Sequence, residues 1–469
     1  MRWVGQRVTD GLDRCGLGQR SLLPLLTLLI LLHFAYSVTP DLRPALRNLA
    51  FLVGSVLLAA VLAVASFFWR PGMIREPPTA LGVDAKLSDA LLAIVMIASA
   101  AYFSLPNQLA APLVATFGAI QVVVLLMRRP RLSLIVSCLS LLLGLGLAVW
   151  WIPLDQLGGD MLPVTVWADK VFLHGMNPYF GDHTSVTPNP FFYLPLQWLI
   201  YVPFVAFRLD PRLLNELAIL GTIAIYLRLW REVSFPWTGF SVLLGLIATR
   251  SSTEMLYDGE VWPLWCLISV FAFLIHRRRL RMAALVLGLL LACSQISLAI
   301  AALFGVYQLR SAARWRETFL LAGIVTAVYL AFVLPFAHGL AGFVVQYYIV
   351  IPHLAGVISE RLRHNSITQV SLVNLLSRAG LTGLRAWLQA ATGIAGMAVL
   401  ALRRSTTPAQ FLTVCGLTYL WAISLNMQVW KYYYVPGLLL LFWGIYAPRS
   451  NMVPLPDHEP AFGRDPMLQ

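Results

Sequence analysis

Apolar runs of about 15 to 22 residues follow one another along most of this chain, and charge is nearly absent inside them. Wound as an α-helix at about 1.5 Å per residue, such a run matches the ~30 Å hydrocarbon layer of a bilayer. No water reaches that layer, so a backbone crossing it must satisfy its own hydrogen bonds, and helices do so. Composition closes the main alternative. Of 469 residues, 59% are hydrophobic and 12% charged, about half the charge usual in a water-soluble chain. The sequence therefore predicts an all-α polytopic membrane protein and excludes a soluble multidomain enzyme.

Apolar runs and loop charge together place spans near 21–38, 46–69, 88–104, 109–127, 132–152, 213–230, 236–249, 261–276, 281–293, 296–309, 317–337, 385–402, 408–425 and 431–447, about fourteen in all. The formal net charge of +13 is concentrated in short loops such as "RRPR" (128–131), "HRRRLR" (276–281), "RSAARWR" (310–316) and "RR" (403–404). This is the positive-inside pattern, and it argues against a nucleic-acid partner. With both termini cytoplasmic, every basic loop falls inside, while 153–190, 250–260, 339–384 and 426–430 fall outside. Two conditions make the count consistent. Stretch 191–207 must lie along the outer face without crossing, and 281–309 must cross twice, breaking near "CSQIS" (293–297). The apolar stretch at 22–36 has no small-residue cleavage site after it and reads as a retained span. The five cysteines show no paired or metal-type spacing. The tail at 448–469 is polar and is expected to be disordered.

The unusual polar residues collect in the outer segments. "GGDMLPVTVWADKVFLHGMNPYFGDHTSVTPNPFFYLPLQWL" (158–199) holds Asp160, Asp169 and Asp182 among glycines, prolines and aromatics. The other outer segments contribute Arg250, Glu260, Arg361, Arg363, His364, Asn365 and Lys431. A carboxylate, several cations and many aromatics suit transfer of a sugar from a lipid phosphate. That leaving group is already a good anion and needs cations more than an acid. The acceptor hydroxyl needs a carboxylate base. Aromatic rings stack on sugar faces and sit well at the membrane boundary.

Asp160–x14–Gly175–x2–Pro178–Tyr179, followed by Phe191, Phe192, Tyr193 and Pro195, resembles the first outer loop of GT-C glycosyltransferases, and most of all glycosyltransferase family 87. Further matches follow in order: "DGEVWPL" (258–264), "HNSI" (364–367) and "NMQVWKYYYVPGLLLL" (426–441). The chain departs from that pattern at Leu194, Glu260, Trp262 and Lys431, and has Gln295 where the family has the Lys of a "K-P" break. The resemblance covers about 130–447 and leaves the first four spans, within 1–130, without a counterpart. It implies a GT-C-like bundle whose first large outer loop, 153–212, carries interfacial helices, and whose late outer loop is 339–384. It implies an inverting transfer from a polyprenyl-phosphate mannose or arabinofuranose to a lipid or glycan acceptor outside the cytoplasm. Asp160 is then the general base, with Asp169 second. Tyr179, Tyr193, Arg250, Glu260, Arg361, Arg363, His364, Asn365 and Lys431 are then the substrate contacts.

Each residue also has a plainer reading. Asp160 suits a helix N-cap before "MLPVTVWADKVFL". Gly175 and Pro178 suit the end of that helix, with Tyr179 shaping the loop rather than touching substrate. Arg361, Arg363 and His364 suit lipid headgroups, and Lys431 suits snorkelling at a span end. No metal-ligand spacing, Walker loop or nucleotide fingerprint is present, so neither a metal nor a cofactor is expected. The alternatives to an enzyme are a lipid-linked-sugar flippase or transporter and a non-catalytic assembly subunit.

Overall fold

A computed structural model describes residues 161–181, 193–229, 237–248, 261–295, 297–312, 315–338, 340–351, 383–402, 406–426 and 431–446, with single positions between these runs and in 132–154. The first four expected spans and the C-terminal tail lie outside the described residues. Within them the protein is helical, with no strand.

In chain order the helices are α1 (Met161–Leu173), α2 (Pro195–Leu199), α3 (Val202–Ala206), α4 (Arg212–Leu229), α5 (Trp237–Ala248), α6 (Trp262–His276), α7 (Leu280–Cys293), α8 (Ser297–Ala312), α9 (Trp315–Val333), α10 (Leu340–Val344), α11 (Leu384–Leu402), α12 (Pro408–Ser424) and α13 (Val435–Tyr446). A π-helix, Val345–Val350, continues α10, and 3-10 turns occupy Pro178–Phe180, Leu334–Phe336 and Lys431–Tyr434. From α4 on, every expected span has a helix close to its anticipated limits. Stretch 191–207 holds only the five-residue α2 and α3, each opened by a proline in its first turn. The stretch 281–309 breaks where Ser294 turns extended (φ −152, ψ 128) after α7.

Two described helices are long and apolar enough to cross a membrane, Trp315–Phe336 at 22 residues and Leu384–Leu402 at 19. Both are largely uncovered by protein; Phe319 is 69% exposed and Trp387 76%. Such an apolar wall is tolerated in lipid and not in water. The other long apolar helices are shorter than a bilayer, and α4, at 18 residues, carries Arg212, Glu216 and Arg228.

The core centres on α12 and α13. Every residue from Val435 to Gly444 is buried, as expected of a helix apolar all round. These helices touch through glycine: a Cβ on Gly416 would lie 2.8 Å from the Leu441 backbone nitrogen and 2.9 Å from the Gly437 carbonyl oxygen. The capping box of Thr407 and Gln410 starts α12. Deeper in, the Trp443 indole donates to Ser269 Oγ at 3.1 Å, and His276 Nε2 donates to the Trp443 carbonyl at 3.0 Å.

The same close packing joins α7 to α9. A Cβ on Gly288 would stand 2.7 Å from Val328 Cβ and 2.8 Å from the Val325 carbonyl oxygen. Gly288→Ala is therefore expected to destabilise by about 1–3 kcal/mol. Gly305→Ala, in α8 with nothing within 4 Å of the added carbon, is expected to be neutral or slightly stabilising. Thermal unfolding of both variants in detergent checks the pair.

Candidate functional site

Helix α1, which begins one residue after Asp160 and carries Asp169, buries Leu162, Val164, Thr165, Ala168 and Asp169 and leaves Lys170 exposed. It stops at Gly175, whose φ of +77 needs no Cβ. The Met176 amide returns to the Val171 carbonyl at 3.1 Å and the Gly175 amide to Phe172 at 2.8 Å. This double closure is a Schellman cap. The next residues fold at once into the Pro178–Phe180 turn, where Asn177 caps the Tyr179 amide at 3.0 Å and donates to the Phe336 carbonyl at 3.1 Å.

Tyr179 then holds the loop closed. Its hydroxyl donates to the Tyr193 carbonyl at 2.6 Å and lies 3.3 Å from the Trp198 indole N–H. Its ring meets Phe343 edge-on at 5.3 Å and Tyr347 at 6.0 Å. Phe343 and Tyr347, one turn apart, stack at 5.4 Å. With Val164, Ala168, Phe191, Trp198 and Phe336 these rings form one buried aromatic cluster. Burial pushes the Tyr179 phenol well above its ordinary range, so it serves as a neutral donor.

Asp169 lies on the same buried face of α1. It is 0% exposed, and neither carboxyl oxygen has a hydrogen-bond partner among the described residues. Thr165, one turn earlier, spends its hydroxyl on the Met161 carbonyl at 3.1 Å. Desolvation alone pushes the Asp169 carboxyl up to about 9, so the acid is protonated and neutral at pH 7.

Three distant segments meet this loop. Gln295, at the break between α7 and α8, donates to the Tyr347 hydroxyl at 3.0 Å. Asn215 of α4 accepts from the Tyr201 hydroxyl at 2.6 Å and donates to the Gly259 carbonyl at 2.9 Å. Tyr432 reaches the Met161 sulfur at 3.2 Å across 271 residues of chain. The segments expected to share one side of the membrane thus gather at one end of the bundle. His276, Tyr446 and the α12 cap gather at the other.

Of the sequence candidates, Asp169, Tyr179 and Tyr193 share this end, and Lys431 opens the turn that contains Tyr432. Asp160, Arg250, Glu260, Arg361, Arg363, His364 and Asn365 lie outside the described residues. The sequence reading did not single out Tyr347, Trp198 or Phe336. They sit in apolar surroundings, and only the i, i+4 spacing of Phe343 and Tyr347 hints at a pair. The π-helix holding Tyr347 is a form frequent at functional sites, and Tyr348 within it touches the Tyr329 hydroxyl. Among the described residues, no three His, Cys, Asp or Glu side chains come together as a metal site. No protein-family model, curated protein or solved structure matches this chain.

The folded chain holds the Asp169 proton that an unfolded chain releases near the ordinary value of 3.8. Stability from this group is therefore greatest in acid and falls as pH rises toward about 9, by up to about 1.4 kcal/mol per pH unit. Asp169→Asn keeps the shape and removes the titration. The variant is expected to be at least as stable as the parent at pH 7, with a flatter dependence of thermal midpoint on pH.

Proposed function

We propose that this protein is a membrane glycosyltransferase that moves a mannose- or arabinofuranose-like sugar from a polyprenyl phosphate to a lipid or glycan acceptor. One observation carries the reading. Tyr432 and Met161 touch, and their chain neighbours are Lys431 and Asp160, the proposed phosphate-binding cation and the proposed base. This contact supports a site to which the first and last motifs of the family-87 resemblance both contribute. Gln295, at the place of the family's "K-P" lysine, reaches the same end through Tyr347.

In the proposed reaction the acceptor hydroxyl gives its proton to the Asp160 carboxylate. Its oxygen attacks the anomeric carbon from the face opposite the phosphate. The carbon–oxygen bond to phosphate breaks, and the polyprenyl phosphate leaves with the electron pair. Lys431, Arg250, Arg361 and Arg363 meet the charge that develops on it. The configuration at the anomeric carbon inverts. Asp169 is not the base in this scheme, because a protonated acid has no lone charge to accept the proton. Tyr179 and Tyr193 hold the loop, and exposed outer aromatics line the sugar path. The site faces outside the cell membrane with both termini in the cytoplasm, and the module spans 131–447.

A carrier reading has one observation on its side. Glu216 in α4 has a buried, unpaired carboxyl oxygen, and ionisable groups within spans mark transport paths. Its position near the end of α4, beside the Asp210–Arg212 ion pair at 2.5 Å, fits an interfacial residue better.

Reconstitution into liposomes with a labelled polyprenyl-phosphate sugar tests the proposal. Asp160→Asn is expected to lower transfer about 100-fold or more with unchanged folding, while Asp169→Asn stays within a few-fold of the parent. Normal transfer by Asp160→Asn removes that residue from the mechanism. Transfer from a nucleotide sugar without a lipid intermediate removes the donor class. Loss of lipid-linked-sugar flipping in Glu216→Gln, with no transfer by the parent, favours the carrier.

A further inference from the structure

The end of the bundle opposite the site is built of arginine. Helices α7 and α9 both finish at the site end, where Gln295 meets Tyr347 and Phe336 meets Tyr179, and they pack together at Gly288. Their first turns therefore stand side by side at the far end. There Arg278, Arg279 and Arg281 begin α7 and Arg316 begins α9, all exposed. None of the four forms an ion pair among the described residues. Glu317 is the one acidic side chain among the described residues of these turns, and it is half-buried. Directly past the arginines the surface turns apolar, with Met282 51% exposed on α7 and Leu320 47% exposed on α9.

Membrane orientation requires positive charge and is indifferent between lysine and arginine. All four basic side chains of this cluster are arginine, as are 31 of the 34 basic residues of the chain. One arginine is also held at a cost. Arg278 has φ +54 in the three-residue link from α6 to α7, a conformation that favours glycine and strains other residues. Arginine differs from lysine in presenting a planar fork that grips a phosphate through two parallel hydrogen bonds.

We propose that Arg278, Arg279, Arg281 and Arg316 form a binding site for the phosphodiester headgroup of an anionic glycerophospholipid. Its acyl chains lie against the apolar surface that begins at Met282 and Leu320. The site is separate from the transfer chemistry and rests only on the protein being in a membrane.

The test uses full-length protein in a neutral detergent, titrated with phosphatidylglycerol, phosphatidylcholine, a polyprenyl phosphate or inorganic phosphate, with the thermal midpoint as readout. Phosphatidylglycerol is expected to raise the midpoint saturably where phosphatidylcholine and inorganic phosphate do not. The triple variant R278K/R279K/R281K, which keeps every charge, is expected to weaken the apparent affinity at least fivefold. Arg278→Gly gives a readout of opposite signs. Without lipid its midpoint rises, because strain is relieved, while its lipid-dependent shift shrinks. Equal binding by the lysine variant reduces the cluster to a diffuse field and overturns the proposal. Equal response to inorganic phosphate, or stronger binding of the polyprenyl phosphate, overturns the assignment to a glycerophospholipid.

Discussion

A peptide group inside lipid has only other peptide groups to bond to. In the membrane setting proposed for this chain, that constraint accounts for the helical architecture, the two long apolar helices left uncovered by protein, and the placement of polar chemistry at the ends of the bundle. It also explains how the helices adhere. Lipid chains are as apolar as leucine, so apolar side chains gain little by leaving lipid for each other, and close contact must hold the bundle together. Gly416 against Gly437, and Gly288 against Val325 and Val328, supply that contact.

At the site end the chain uses a second device. The first loop is polar and irregular in sequence, but it is fixed by aromatic packing around Tyr179 and by one short hydrogen bond to the Tyr193 carbonyl. The "G-x-x-P-Y" and "Y-L-P" elements are thus two halves of one clasp. Gly175 gives the reversal, Pro178 starts the turn, Tyr179 closes it, and Pro195 starts α2. The clasp sets the direction of α1, and α1 begins one residue after Asp160. Asp169, on α1, is fully buried with no hydrogen-bond partner among the described residues, and that desolvation favours its neutral form.

Much of the fold was legible in the sequence because apolar length is a direct readout of the solvent. The limits of α4 to α9 and α11 to α13 fall close to the expected spans, and the breaks at 191–207 and 293–297 were visible as proline and polar residues inside apolar runs. The lengths of the helices were not legible in the same way, for only two of the described helices are long and apolar enough to cross a membrane. A run of apolar residues does not reveal where proline, a 3-10 turn or an extended residue such as Ser294 will shorten the helix. The site was readable where backbone chemistry dictated the residue, as at Gly175 and Pro178. It was not readable where an ordinary core aromatic, such as Tyr347 or Trp198, gained its role only from residues far along the chain. Nor does a sequence reveal that Asp169 faces inward, because Thr165 and Lys170 beside it are compatible with either face.

The two five-residue helices α2 and α3 carry a consequence larger than their size. A polypeptide threading a bilayer alternates sides with each passage, so one segment that lies down instead of passing through reverses the sidedness of everything downstream. In the proposed topology, Pro195 and Pro203, by interrupting a stretch greasy enough to pass through, act as a parity bit for the remaining chain. In that topology, were the stretch a single uninterrupted rod, Arg278 and its neighbours would face the exterior and the Lys431 turn the interior. In this reading, which compartment a reaction belongs to is decided by two imino acids that take no part in it.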